Sequence, residues 1–463
     1  MRPLPLSRIA QWTNGRLHAL GEGGDLLIDA VETDTRTLDA SDGRAALFIA
    51  LHGANFDGHD HVATAAEQGA RAALVSREVD VPLPQVVVAD TERALAALAA
   101  ALQHGRGGKA VGITGSNGKT SVKQLTLAIL GRAGNAYANP GNRNNEIGLP
   151  LAVIDAPDDA DVAIYEMGAG KRDDIAYLTA IVRPDVALVN NIAPAHLERM
   201  QSLLGIADTK AAIYDALPHD GVAVINADDA FSPYFAERAH GRRLVRFGLD
   251  SSADVTARDL RVEDESSRFV LVTPAGESEV ALPLAGRHNV SNALAAASIA
   301  LALDVPLAVI AEALSAAQPV KGRLVRHRLA NGAVLIDDSY NANPGSLNAA
   351  IDTLAAASGE NWLVLGDMRE LGDDARALHA EAGRRARQAG ISRLYALGPL
   401  SAAAVEAFGD GARHFEGHAA LVDALRADLH AAVRVLVKGS RGSAMDRIVD
   451  ALLPREEGEL DAA

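Results

Sequence analysis

A lysine and a threonine that close a glycine-rich loop are suited to hold a phosphate chain. Gly112-Ile113-Thr114-Gly115-Ser116-Asn117-Gly118-Lys119-Thr120 sets such a pair between a strand-like run and a helical one. The glycines let backbone N–H groups turn onto phosphate oxygens, the helix amino terminus adds positive potential, and Lys119 supplies a point charge. Thr120 offers a hydroxyl to Mg²⁺, with Ser121 beside it. The strict pattern asks for glycine at position 113, which is Ile113, so this is the compact Gly-x-x-Gly-Lys-Thr form. An ordinary glycine-rich strand-to-helix turn is the competing reading, and the Gly-Lys-Thr triplet in this setting argues against it.

Mg²⁺ prefers oxygen ligands. Glu166, at the end of the next strand-like run, is the natural carboxylate near Thr120, the alternative being a solvated strand-end side chain. His196 and Lys210 follow a further strand end at Asn190-Asn191. A protonated lysine has no lone pair to give a metal. By spacing alone Lys210 reads as a surface lysine; held neutral, it could react with carbon dioxide and become an anionic oxygen ligand.

These groups need elements to position them. The apolar residues Val122, Leu125 and Ile129 recur at helical spacing after the loop. Between about 89 and 318, apolar strand runs alternate with alanine-rich helical stretches, as in βαβ units around a mostly parallel sheet. A smaller α/β domain is expected over 1–88, and a third α/β domain, repeating the rhythm with fresh strands, over 319–463. The strand runs repeatedly end in polar residues: Asn117, Glu166, Asn190, Asp338, Asp367 and Lys438 each follow or close one. Ligands of open α/β sheets bind at such carboxyl ends, and two ends facing each other would enclose an interdomain active site.

The bulk properties are compatible with three domains. The chain has 463 residues, 48% of them hydrophobic, enough for several cores. It has no cysteine, which excludes disulfides, thiolate metal sites and a thiol nucleophile. A net charge of -16 disfavours nonspecific nucleic-acid binding. The alanine-rich run at about 293–303 is too short to cross a membrane and predicts a buried helix. The first twelve residues lack the apolar stretch of a signal peptide, so a cytoplasmic protein is expected. The acidic end, 455–463, is expected to be a disordered tail.

Taken in order, Thr114 to Thr120, Glu166, His196 with Lys210, Gly286-Arg287-His288-Asn289-Val290-Ser291-Asn292, Lys321-Gly322-Arg323 and Asp337-Asp338-Ser339-Tyr340-Asn341-Ala342-Asn343-Pro344 resemble the Mur ligase family over nearly the whole chain. Asn142-Arg143-Asn144-Asn145, Gly366-Asp367-Met368-Arg369-Glu370 and Lys438-Gly439-Ser440-Arg441 resemble the branch that adds D-alanyl-D-alanine. The Asn-Pro-Arg motif usual in the branch that adds the third residue is absent from the last domain.

The resemblance implies three domains, one holding UDP, a central P-loop-type ATPase and a Rossmann-like last domain that closes on it, in an ATP-dependent, ADP-forming ligase that extends UDP-N-acetylmuramoyl tripeptide through an acyl phosphate; a monomer is expected. It implies a metal site of Thr120, Glu166, His196 and a carbamylated Lys210, with Lys119, Glu166, His196, Lys210 and Arg323 as the catalytic groups. ATP would be held by Gly115 to Ser121 together with His288, Asn289, Asn292, Arg323, Asp338, Tyr340 and Asn343. Asp34, Thr35, Arg36, Gly53, Asn55, Asp57 and His59 would hold the uridine nucleotide, and several of them could equally be turn formers. Asn142, Asn144 and Asn145 would orient the muropeptide, and Lys438 with Arg441 would take the dipeptide carboxylate by charge-assisted hydrogen bonds. Arg199-Met200-Gln201 departs from a glycine-containing stretch of relatives, and Ala211 stands where many have glycine; neither removes a ligand. Competing functions are the third-residue-adding ligase, a folylpolyglutamate synthase, and a regulator that uses ATP only to drive closure.

Overall fold

The computed structural model describes residues 1–19, 25–41, 43–53, 55–194, 197–200 and 202–453. The acidic end at 455–463 and His196 lie outside the described residues.

The first part is built on a five-stranded sheet in the order Arg16–His18, Gln85–Val87, Ala72–Val75, Ala46–Ile49, Ala30–Glu32. All its pairings are parallel except that of Arg16–His18 with Gln85–Val87. Leu47, Phe48, Ile49 and Leu74 are buried, because both sheet faces are covered. Helix Thr91–His104 begins at an Asp90 cap, whose carboxylate accepts the Arg93 N–H at 3.0 Å. It packs on helices Gly148–Asp155 and Asp174–Val182, so one apolar core runs from the first sheet into the second.

The central sheet has six strands, all parallel, in the order Ala136–Ala138, Val162–Glu166, Lys109–Thr114, Val186–Val189, Val222–Asn226, Arg243–Phe247. The chain leaves Lys109–Thr114 toward one edge of this sheet and later returns to its other side. That reversal puts the phosphate loop at the place where open α/β sheets bind ligands. In helix Lys119–Ala133, Val122, Leu125 and Ile129 are buried, as the helical spacing predicts.

An antiparallel three-stranded sheet, Thr256–Val262, Ser267–Thr273 and Gly276–Leu282, interrupts the alternation that the sequence suggests for this region. Its middle strand alternates buried and less buried residues, as a strand with one covered face does. The alanine-rich helix spans Arg287–Ala302 and is buried along most of its length.

The last sheet runs Val325–Arg328, Val334–Asp338, Val433–Lys438, Glu360–Gly366, Arg393–Leu397, Ala412–Phe415, parallel except for its first pair. Helix Pro344–Ala355 starts at Asn343 with a capping box: Asn343 Oδ1 accepts the Ser346 N–H at 2.9 Å and Ser346 Oγ accepts the Asn343 N–H at 3.1 Å. The carboxyl ends of this sheet face those of the central sheet. Among the described residues, no helix is long and apolar enough to cross a membrane.

Candidate active site

Between the two facing sheets lies a cleft of about 630 Å³. Its floor is the phosphate loop. Ser116 N–H donates to Asn191 O at 2.9 Å, Asn117 N–H to Asn191 Oδ1 at 2.9 Å, and Asn190 Nδ2 to Asn117 O at 3.0 Å. The loop is therefore held by the paired asparagines ending the next strand. Asn190 Nδ2 also lies 3.0 Å from Asn292 Oδ1, tying the loop to the alanine-rich helix. Gly118 has a φ of +77° and caps the phosphate-loop helix; a Cβ there would collide with the Asn190 and Asn292 amides. Gly115 lies beneath the cleft, packed on Asn190.

Glu166 is buried at the cleft wall and serves both of its oxygens. Oε2 accepts Thr120 Oγ1–H at 2.9 Å, and Oε1 accepts Asn144 Nδ2 at 2.8 Å. Burial would raise the Glu166 carboxyl. The charges of Lys119 and Lys123 and the bonds from Asn144 and Thr120 overcome that and hold it below its ordinary range. Thr120 gives its one proton to Glu166 and accepts Arg323 Nη2 at 2.8 Å, which leaves a lone pair on a hydroxyl beside an ionised carboxylate. Such an all-oxygen pair fits Mg²⁺, which takes few protein ligands and completes its shell with water and phosphate.

Lys119 Nζ rests 2.8 Å from Gly115 O, and desolvation in the cleft lowers its ammonium pKa. Lys210 is buried nearby. Burial, reinforced by the Lys119 charge, brings its ammonium down to about 7. Its side chain is thus within reach of the neutral form that carbamate formation requires, in contrast to the surface residue its spacing suggests.

Several groups enter from the last domain. Arg323 stacks 4.5 Å from the Tyr340 ring centroid, with Arg441 5.5 Å from the same ring. Asn343 Nδ2 donates to Asn117 Oδ1 at 2.7 Å. His288 and Asn289 line the cleft beside Asn292; burial, helped by the Lys438 charge, takes His288 down to about 4, so its ring is neutral at neutral pH.

Some expected ligands are engaged otherwise. Lys438 is buried and pairs with Asp338 at 2.6 Å, donating also to Asn341 O at 2.9 Å. The pair borders the cleft, but its ammonium is committed to a carboxylate of its own domain. Asn145 Oδ1 accepts the Gly148 N–H at 2.8 Å, and Asn142 is exposed at the loop tip. Asp34, Thr35, Arg36, Gly53, Asn55, Asp57 and His59 lie outside the cleft lining. Asp34 caps a short turn through the Arg36 N–H and binds the Arg36 guanidinium, which together lower its carboxyl to about 2. Both ring nitrogens of buried His59 have protein partners: Nδ1 lies 2.6 Å from Asp57 and Nε2 accepts the Ser76 N–H at 2.8 Å. Arg36, Gly53 and Asn55 are exposed.

Sequence reasoning did not single out Lys123, Asn139, Asn190 or Asn191 as site residues. The doubled asparagine after a strand run was the available signal for the last two. For Lys123 and Asn139 there was none, since each looks like an ordinary polar residue until its burial is seen.

Three family models match: the Mur ligase middle domain over 113–300, the Mur ligase glutamate ligase domain over 322–441, and the Mur ligase family catalytic domain over 28–107. The UDP-N-acetylmuramoyl-tripeptide--D-alanyl-D-alanine ligase of Escherichia coli K12 is 41% identical over 455 residues, covering 98% of this chain and 99% of its own. A crystal structure of MurF from Acinetobacter baumannii superposes with a TM-score of 0.91 at 33% identity, covering 98% of this chain and 99% of its own. The MurF ligase of Thermotoga maritima in complex with ADP gives a TM-score of 0.81 at 25% identity, over 91% and 96% of the two chains.

Proposed function

The chain belongs to the Mur ligase family, and from that membership we propose that it couples ATP cleavage to the joining of D-alanyl-D-alanine to UDP-N-acetylmuramoyl tripeptide, forming the pentapeptide precursor of peptidoglycan. The observation that carries this reading is the meeting of two partners from different parts of the chain on one carboxylate-hydroxyl pair. Glu166 and Thr120 of the central domain receive Asn144 from the loop assigned to the muropeptide and Arg323 from the last domain. We assign residues 1–88 to the UDP-muramoyl end, 89–318 to the ATPase and 319–463 to the ligase domain.

A carboxylate needs an activated leaving group before an amine can displace it. A terminal carboxylate oxygen of the tripeptide attacks the γ-phosphorus, the bond to the bridging oxygen breaks, and ADP leaves an acyl phosphate behind. The dipeptide amine then attacks the acyl carbon; the C–O bond breaks, phosphate leaves, and the amine proton passes to solvent or a base. Phosphoryl transfer of this kind depends on positioning and charge stabilisation.

Lys119 and the loop N–H groups beyond Asn117, those of Ser116 and Asn117 being engaged by Asn191, hold the phosphate chain, and Arg323 counters the charge that builds between two anions once the last domain is docked. Thr120 and Glu166, joined by His196 and Lys210 if the latter is carbamylated, would hold Mg²⁺. A bound ion would neutralise the β- and γ-phosphate oxygens. Neutral His288 with Asn289 and Asn292 flanks the adenine, and Tyr340 and Asn343 close over the nucleotide. Thr35, Arg36, Gly53 and Asn55 offer donors to the uridine nucleotide, with Asp34, Asp57 and His59 shaping their turns. Arg441 remains available to the dipeptide carboxylate, and Lys438 acts on it by holding Asp338 and the Asn341 turn. We infer that the enzyme acts as a cytoplasmic monomer.

The test is phosphate release with ATP, Mg²⁺ and either UDP-muramoyl tripeptide or its UDP-muramoyl dipeptide precursor, to which D-alanyl-D-alanine, diaminopimelate or lysine is added separately. Release with the dipeptide alone, together with a pentapeptide mass, is the expected result. Release with a single amino acid on the dipeptide precursor would make the chain a third-residue ligase, and ATP binding without any peptide product would leave a closure-driven regulator.

A further inference from the structure

Lys123 lies four residues after Lys119 on the phosphate-loop helix, one turn further from the nucleotide, and points into the protein. Its side chain is wholly buried. The ammonium donates to Asn139 O at 2.8 Å and Gly141 O at 3.0 Å, and stands 3.3 Å from Glu166 Oε2. Burying an ammonium costs several kcal/mol before its partners offset it, and a whole buried ion pair replaced by well-packed apolar side chains is often no less stable. A lysine kept there is therefore poorly explained by stability alone.

Its partners suggest the explanation. Asn139 O and Gly141 O are the two carbonyls from which the chain enters the Asn142–Asn145 loop. Asn139 is itself buried and accepts the Glu166 N–H at 2.8 Å while donating to Arg143 O at 2.8 Å. At the far side of the loop, Gly168 N–H donates to Asn144 O at 2.8 Å, and Asn144 Nδ2 reaches Glu166 Oε1. The loop is thus referenced to Glu166 from both ends, and Lys123 is the element that also references it to the phosphate-loop helix.

We propose that Lys123 is a positioning residue for the acceptor substrate: it sets the Asn142–Asn145 loop in register with Glu166 and the phosphate loop, so that the tripeptide carboxylate is presented in line with the γ-phosphate. This rests on the ligase reading above. Lys123 touches no substrate, and its effect passes through the loop it anchors.

Calorimetry on the full chain separates this role from fold maintenance. ADP binding is measured first, and UDP-muramoyl tripeptide binding second, with a non-hydrolysable ATP analogue and Mg²⁺ present. In Lys123→Met we expect the tripeptide Kd to rise about tenfold or more and ADP affinity to stay within about twofold, in a chain that still folds but melts lower because Glu166 and two carbonyls lose a buried partner. Lys123→Arg, which keeps the charge and the donors, should recover part of the tripeptide affinity. Unchanged tripeptide affinity in a folded Lys123→Met protein overturns the proposal. So does equal weakening of both ligands, or failure of both variants to fold, since either makes Lys123 a fold-maintaining residue. A wild-type chain that binds no tripeptide overturns the ligase reading itself and the proposal with it.

Discussion

Arg323 Nη2 donates to Thr120 Oγ1 at 2.8 Å across 203 positions of sequence, from one domain into the phosphate loop of another. Because this guanidinium arrives only with the docked last domain, Arg323→Ala should lower kcat by about 10²- to 10³-fold, as loss of a preorganised charge donor does. ADP affinity should change far less. Arg323→Lys should recover little, since a lysine lacks the planar fork that bonds Thr120 while stacking on Tyr340. Steady-state phosphate release and ADP titration check both.

The Asp338–Lys438 pair is almost fully buried, so breaking it strands a charge. Lys438→Met should destabilise the last domain by about 3 kcal/mol, visible as a lower first melting transition. Joint replacement of Asp338 and Lys438 by asparagine and methionine should cost less than Lys438→Met alone. A Lys438→Met chain that melts as the wild type does would show that the pair contributes nothing to stability.

Two glycines near one helix should respond oppositely to alanine. At Gly118, φ is +77° and the asparagine amides leave no room for a Cβ; Gly118→Ala should weaken ADP binding at least about tenfold through strain of 1–3 kcal/mol. Gly131, in the same helix, faces open space, and Gly131→Ala should stabilise the fold by about half a kcal/mol with ADP binding unaltered. Equal ADP affinities in the two variants would contradict this account of the loop.

Lys210 carries a testable pH signature. With its ammonium at about 7 rather than the ordinary 10.5, the neutral amine grows as pH rises through 7, and carbon dioxide adds only to that form. After exhaustive removal of carbon dioxide, activity should fall more steeply below pH 7 than above it, and bicarbonate should restore it. Native mass measurement should show one added carbon dioxide at pH 8, absent from Lys210→Arg.

The contiguous parts of this site were the legible ones. The phosphate loop spans nine neighbouring residues whose backbone and side chains act together, so spacing alone conveys its chemistry. The strand ends at Glu166 and Asp338 were legible for a similar reason, because an apolar run that stops at a carboxylate marks a sheet edge. Lys123 was not, since on the helix it resembles a solvated neighbour of Val122, and its partners Asn139 and Glu166 are distant in sequence. Asp57 and His59 present the converse case: residue types suited to a ligand site are engaged in holding a turn against Ser76. Lys438 likewise looked like an anion receptor until the parallel pairing of its strand with Val334–Asp338 set it against Asp338. The antiparallel insertion at 256–282 was hidden by an alternation that short strands share with helix-linked ones.

Asn343 divides its side chain between two tasks, Oδ1 capping the helix that starts at Pro344 and Nδ2 gripping Asn117. The two bonds use different atoms of one amide, so the grip can be lost without fraying the helix, and Pro344–Ala355 is a stiff lever whose end is finished with or without it. Asparagine alone among the good capping residues carries a donor and an acceptor on one planar group. Aspartate at 343 would keep the lever intact yet lose its catch, and such a chain would hold its shape while releasing ADP sooner than it should.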